Sequence, residues 1–417
     1  MLSVSSALRA KWSAAERHAW LIVFAVALAV RLGWVGMVQL RGGALFGPDA
    51  LSYDVLATNL LKGEGLWKWD YQGLFLDPNK ALVVRSFRPP LLPVLLAGLY
   101  GVVGHRWWAA RVLMAVLSAG TCVVVMRIAR RVFNPTVSLL TGVLMAFYPK
   151  LVYYSGAIVT ENPYIFLLAL SLWVLVAGLD AGGWWRWAVA GGLMGLAALC
   201  RSALLAFPPL ACLWVVLMRP RWRSLAEAAL VGVGLVVVMS PWWVRNWTVH
   251  GRFIPATTEG GLTFWVCNRR GADGGGHVDY RPARGEFEGL SEAEIDRKFY
   301  RLGWAEVKAA PGNFLRLLGV KFVRFWRPWP HASEAAVGKW KAVLAGVTFV
   351  PILVLAVVGV VVSGRQWRPL SLFYLLFAYY TMLHMVFMAV TRYRLPLEPY
   401  LIMLASRAAT HLSARRR

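Results

Sequence analysis

Two acids and a set of arginines are the groups in this sequence that could do chemistry. Asp49 follows Pro48 in the stretch Gly47–Gly65, GPDALSYDVLATNLLKGEG, and Glu161 stands in Ala157-Ile-Val-Thr-Glu-Asn-Pro163. Carboxylates so placed can take a proton from a hydroxyl nucleophile or hold a cation. Each also has a purely structural reading, because an acid beside a proline commonly caps the start of a helix. Arg88, Arg245, Arg392 and Arg394 are the expected phosphate ligands. A guanidinium grips phosphate through two parallel hydrogen bonds and stabilises a departing phosphate as its charge grows. Tyr53, Asn162 and Arg201 are the expected substrate contacts. A lone arginine near an apolar run is usually an interface anchor, so the chemistry depends on whether these groups converge.

The elements that must position them are membrane helices. With 417 residues, 59% of them hydrophobic, and a mean hydropathy of +0.55, the chain is too apolar for a soluble globule. The expectation is an all-α polytopic protein with about ten transmembrane helices. The run Trp20–Leu40 reads as a signal-anchor, with Arg9 and Lys11 before it on the cytoplasmic side. Arg31 lies inside that run and should face protein or water, or reach for the interface, since a charge at such depth is costly in lipid. Further spans are expected near 107–128, 136–154, 162–179, 184–200, 203–218, 225–243, 341–362, 368–390 and 396–411. The run 91–104 is short for a crossing and reads as an interfacial or re-entrant helix. On this topology Asp49, Glu161 and the arginines all come to outer ends of spans.

A formal charge of +25 would suggest nucleic acid for a soluble protein. Here the basic residues cluster between apolar runs, where they orient helices and meet anionic lipid. The chain divides into an N-terminal transmembrane module (1–243, with outer loop 41–106), an extracytoplasmic segment (244–340) and C-terminal helices (341–417). In the middle segment GADGGG at 271–276 reads as a flexible loop, and Ser291-Glu292-Ala293-Glu294 as a capping box opening a helix. A basic amphipathic helix over 313–326 is expected to rest on the bilayer. The motifs GxxxxGK[ST], strand-borne GxGxxG, HExxH and GxSxG are missing, and the four cysteines show no metal or disulfide spacing.

Taken together, the motifs resemble the bacterial branch of the GT-C-fold, lipid-phosphate-sugar-dependent glycosyltransferases. That group includes protein O-mannosyltransferases and lipid A aminoarabinose transferases. The resemblance is carried by Pro48-Asp49 with Tyr53 and the tail 57–65, Arg88-Pro89-Pro90, and the stretch 127–133. Tyr148-Pro149 through Thr160-Glu161-Asn162, Pro241-Trp242-Trp243-Val244-Arg245-Asn246 and Arg392-Tyr393-Arg394-Leu395-Pro396 complete it. It implies a GT-C-like bundle with outer-face interfacial helices, Asp49 as catalytic base, Glu161 as the second-loop acid and Arg88 on the donor phosphate. The expected activity is inverting transfer of a sugar from a polyprenyl-phosphate donor to an acceptor hydroxyl on a glycan, lipid or protein. It would occur on the extracytoplasmic face of a bacterial cytoplasmic membrane. No metal is obligatory for such a donor, although a divalent ion is compatible with two carboxylates. A lipid-linked-sugar flippase or an oligosaccharide ligase is the alternative.

Overall fold

The computed structural model describes residues 14–45, 47–65, 69–71, 82–181, 183–276, 286–330 and 339–415. Arg9 and Lys11 lie outside them. The first helix, α1 (Ala14–Leu40), carries Arg31 fully buried in its middle. Its guanidinium donates to Ser118 Oγ at 2.8 Å and to the carbonyls of Ala27, Ala146 and Met145 at 3.0, 3.1 and 3.2 Å. The reason lies at Tyr148-Pro149, which splits the expected span 136–154 into α5 (Pro135–Phe147) and α6 (Pro149–Ser155), bent by 55°. Pro149 lacks the N–H that would have reached the Met145 carbonyl. The arginine of α1 supplies that missing donor from another helix.

Arg111, on α4 (Trp107–Val132), fixes where the first outer excursion begins and ends. It donates to Gln39 Oε1 at 2.6 Å, to the Gly43 and Ala44 carbonyls at 2.7 and 2.8 Å, and to the Gly156 carbonyl at 3.0 Å. The chain therefore leaves α1 and re-enters α4 at the same end of the bundle. Between them lie α2 (Gly47–Leu61), a two-stranded antiparallel ribbon of β1 (Trp69–Tyr71) and β2 (Leu82–Val84), and α3 (Leu91–Val103). The 13-residue α3 packs on α2 and goes back out at that end, so it does not traverse.

The rest of the bundle is α7 (Glu161–Ala181), α8 (Trp184–Cys200), α9 (Phe207–Met218), α10 (Arg223–His250), α14 (Lys339–Val361), α15 (Trp367–Val386) and α16 (Glu398–Arg415). Close packing of α8 on α10 depends on Gly191 and Gly234, where a side chain would strike the facing backbone carbonyls of Val231 and Ala188. Small residues let membrane helices approach and gain dispersion contacts that lipid cannot replace. Among the described residues, six helices are long and apolar enough to cross a membrane alone, or seven with the bent α5–α6 pair. The expected ten adds α8, α9 and α16, which are shorter or more polar. α16 is enclosed by protein along Glu398–Ser406, so its polar residues need not meet lipid.

Above the site end sit α11 (Gly260–Asn268), α12 (Glu292–Ala309) and α13 (Pro311–Trp326). The capping box forms as expected, with Glu294 Oε2 accepting from the Ser291 N–H at 3.0 Å. The glycine-rich stretch 271–276 departs from its expected character. Asp273 caps the Gly275 N–H at 2.8 Å and pairs with Arg324 at 3.2 Å, while the Gly274 carbonyl takes the Ala389 N–H at 3.0 Å. A side chain at Gly275 would strike the Arg324 guanidinium. The glycines form a packed strap over two buried cations, Lys321 and Arg324. Composition alone cannot distinguish that strap from a loose loop.

Candidate active site

Five charged groups from five places in the sequence meet at the site end. Asp49 enters from the first turn of α2, where the helix N-terminus favours negative charge. Its two oxygens take Arg88 Nη2 at 2.8 Å and Arg392 Nη1 at 2.9 Å. Glu161, in the first turn of α7, takes Arg392 Nε at 2.5 Å and Nη2 at 2.9 Å, with Arg201 Nη1 at 2.7 Å. Arg392 thus bridges both carboxylates, holding Glu161 side-on and Asp49 by its remaining nitrogen. Arg201 lies over the Tyr393 ring at 4.4 Å, and Arg88 over Tyr53 at 5.7 Å. Neither acid is limited to capping its helix.

These groups border a cavity of about 660 Å³. Asp49, Tyr53, Arg88, Arg201, Arg392 and Tyr393 line it. Apolar residues, among them Leu205, Ala206, Leu383, Phe387 and Met388, line it as well. Glu161 is fully buried behind Arg392 and Arg201 and does not reach the cavity. Its chemistry is to orient two guanidiniums. Three other expected site residues also stand elsewhere. Arg394 is buried, bound to Glu398 at 3.1 Å and to the carbonyls of Phe325 and Arg327 at 2.8 and 2.9 Å. Asn162 donates to the Tyr154 carbonyl at 2.8 Å inside the bundle. Arg245 points to Ser86 Oγ at 2.5 Å and Asn246 Oδ1 at 2.9 Å, away from the cavity.

Arg245 belongs to the support of Arg88. The Arg85 and Ser86 N–H groups donate to Glu292 at 2.6 and 3.0 Å, and Ser86 Oγ meets Asn246 and His250 at 2.9 and 2.8 Å. Buried polar groups fully engaged in this way hold a segment in one place. Sequence reasoning overlooked Glu259, whose carboxylate takes Arg88 Nη1 at 3.2 Å from the side opposite Asp49. The signal was Glu259-Gly260-Gly261, an acid ahead of two small residues in a polar stretch.

Burial alone would raise the Asp49 carboxyl, but Arg88 and Arg392 bring it below its ordinary value. It is ionised throughout the neutral range. Burial pushes Glu259 up despite Arg88. Counting Asp49, Glu161 and Glu259 against Arg88, Arg201 and Arg392, the cluster is electrically balanced. Among the described residues no three His, Cys, Asp or Glu side chains converge in a way that could hold a metal ion.

A sequence model of the family described as dolichyl-phosphate-mannose-protein mannosyltransferase matches residues 87–244. That stretch includes Arg88, Glu161 and Arg201. Among solved structures, ArnT from Cupriavidus metallidurans bound to undecaprenyl phosphate superposes over 95% of this chain, with a TM-score of 0.57 and 18% identity. The archaeal oligosaccharyltransferase AglB from Archaeoglobus fulgidus, in complex with an inhibitory peptide and a dolichol-phosphate, superposes over 97%, with a TM-score of 0.59 and 14% identity. The chain has a GT-C fold. It spans 61% of the ArnT chain and 51% of the AglB chain. Among curated proteins there is no match to the sequence. In this GT-C bundle, the matched family stretch supplies the Arg88 loop and the Glu161 helix, while Asp49 and Arg392 come from outside it.

Proposed function

We propose that the protein is a membrane glycosyltransferase that moves a sugar from a polyprenyl-phosphate donor to an acceptor hydroxyl. The observation that carries this reading is one ionised carboxylate, Asp49, held between two guanidiniums on a cavity that apolar side chains also line. The donor has the same division, a phosphate head and a hydrocarbon tail. Arg88 and Arg392 take the phosphate, and the tail lies along Leu205, Leu383 and Phe387. The segment 91–104 does not border the cavity.

The balanced cluster gives the mechanism its order. A donor phosphodiester brings one negative charge, so it competes with Asp49 and Glu259 for the guanidiniums. Glu259, about one-third exposed, is the partner most easily displaced. As the phosphate draws on Arg88 and Arg392, Asp49 loses part of their stabilisation and becomes a stronger base. Asp49 accepts the acceptor hydroxyl's proton, and that oxygen attacks the anomeric carbon on the face opposite the phosphate. The carbon–oxygen bond to phosphate breaks, and the lipid phosphate leaves with the electron pair on its own oxygen, where the two arginines stabilise the added charge. A single displacement of this kind inverts the anomeric centre.

Arginines gathered at the other end of the bundle support a cytoplasmic assignment for that end under the positive-inside rule. There Arg131 and Arg219 donate to the Ala177 and Gly178 carbonyls. The site would then face away from the cytoplasm of a bacterial cell. The decisive variant is Asp49→Asn. Removing a general base costs about 10²–10⁴-fold. We expect that loss in a transfer assay with polyprenyl-phosphate sugar, with unchanged thermal unfolding; near-normal turnover would remove Asp49 as the base.

A further inference from the structure

One face of α12 has no part in the reaction above. Ala293, Asp296, Arg297 and Tyr300 recur one helical turn apart and all line the cavity. The helix is held from another face, where Ile295 and Phe299 are buried against Trp265 and Phe287. At its start, Glu292 accepts from the backbone of Arg85 and Ser86, which sets the cavity stripe in register with Arg88. Gly260 and Gly261 permit the approach, since a side chain on either would strike the Tyr300 hydroxyl or the Asp296 carbonyl. The Gly261 N–H donates to Asp296 Oδ1 at 2.7 Å, fixing that carboxylate beside Glu259.

We propose that this stripe, together with Glu259 and Thr263, is the acceptor subsite and that it takes a neutral saccharide. The assignment rests on the transferase reading and names its second substrate. The wall offers carboxylates, a phenol, a hydroxyl and guanidiniums, so it both accepts and donates hydrogen bonds, as sugar hydroxyls do. Its charges balance, Asp296 against Arg297, because Glu259 is paired with Arg88 at 3.2 Å and Arg252 with Glu294 at 3.3 Å. An anionic headgroup would meet two acids here. A peptide would want apolar pockets or an open strand edge. Along α12 the cavity is lined by Ala293, Asp296, Arg297 and Tyr300.

The test uses the full chain in lipid nanodiscs with mannotetraose, maltotetraose and a Ser/Thr-rich peptide as probes, read by saturation-transfer NMR. At least one oligosaccharide should bind the wild type. Asp296→Asn and Tyr300→Phe should each weaken it about tenfold. A pH series adds a readout that loss of folding would not mimic. Burial pushes the Asp296 carboxyl up to about 6, with Glu259, Glu292, Arg297 and Tyr300 the ionisable groups around it. Below that pH the carboxylate gains a proton and loses acceptor capacity, so affinity should fall in the wild type and fall less in Asp296→Asn, where Glu259 is the remaining carboxyl that burial pushes up. Binding of the peptide alone, no oligosaccharide binding, or unchanged affinity in Asp296→Asn would each overturn the subsite. Lost transfer in Asp49→Asn alongside unchanged affinity in Asp296→Asn would sink the subsite and leave the reaction standing. Normal transfer by Asp49→Asn would do the reverse.

Discussion

Arg392 and Arg394 stand two residues apart on one short 3-10 turn, Thr391–Leu397, yet belong to different regions of the molecule. Arg392 faces the cavity with about a quarter of its side chain exposed and binds two carboxylates from other helices. Arg394 faces the bundle, 1% exposed, and its hydrogen bonds go to main-chain carbonyls and to Glu398. Glu398 takes Lys150 at 2.7 Å as well, so that cluster is closed. The difference lies in what a ligand could displace. Carbonyls held in a loop cannot leave a guanidinium, whereas a carboxylate at a cavity edge can give way to a phosphate.

The sharpest way to break the comparison is to truncate each arginine. Arg392→Ala should lower kcat by about 10²–10³-fold, as loss of a transition-state charge partner does, and also cost stability, because buried Glu161 loses one of its two partners. Arg394→Ala should cost on the order of 3 kcal/mol in stability for the same reason at Glu398, with kcat of the folded protein little changed. Thermal unfolding in detergent and single-turnover transfer would separate the two; reversed outcomes would end the distinction. A smaller effect is expected from Gly275→Ala. The strap it belongs to holds Ala389, three residues before Arg392, so displacing Arg324 should move the catalytic guanidinium. We expect kcat to fall about tenfold with donor KM little changed, since sub-ångström misplacement is felt mainly in the transition state. The smallest effect sharpens the idea of displaceable partners. Glu259→Gln removes a competitor of the phosphate from a partly exposed pair worth up to about 1 kcal/mol. Donor KM should drop by up to about fivefold; a rise would mean that Glu259 helps the donor bind.

The same pair of arginines marks how far the sequence could be read. Apolar runs and the capping box at Ser291 follow from local chemistry, and each appears where periodicity places it, whereas the break at Pro149 was overlooked inside the expected span 136–154. Asp49, Arg88, Arg201 and Arg392 were picked out because all sit at helix ends on one face, and they do converge. The side of the helix was not legible. Arg394 and Arg245 satisfy the same positional argument as Arg392, and only tertiary packing turns them inward or toward Ser86. Glu161 converges too, buried behind Arg392 and Arg201 and outside the cavity lining. Glu259 and the 271–276 strap were obscured for the opposite reason: glycine-rich polar sequence reads as loop, whatever packs against it.

Arg31 bears on how the chain is made. Its partners Ser118, Met145 and Ala146 lie 87, 114 and 115 residues further along, so only the Ala27 carbonyl is there to meet it when α1 first leaves the ribosome. An unpartnered arginine at mid-span costs roughly 2.5–3.5 kcal/mol on insertion scales. The opening helix should therefore lodge poorly by itself, lingering at the insertion machinery or sliding in register. It would become committed to the bilayer only when the kinked α5–α6 segment has been synthesised and its exposed carbonyls arrive.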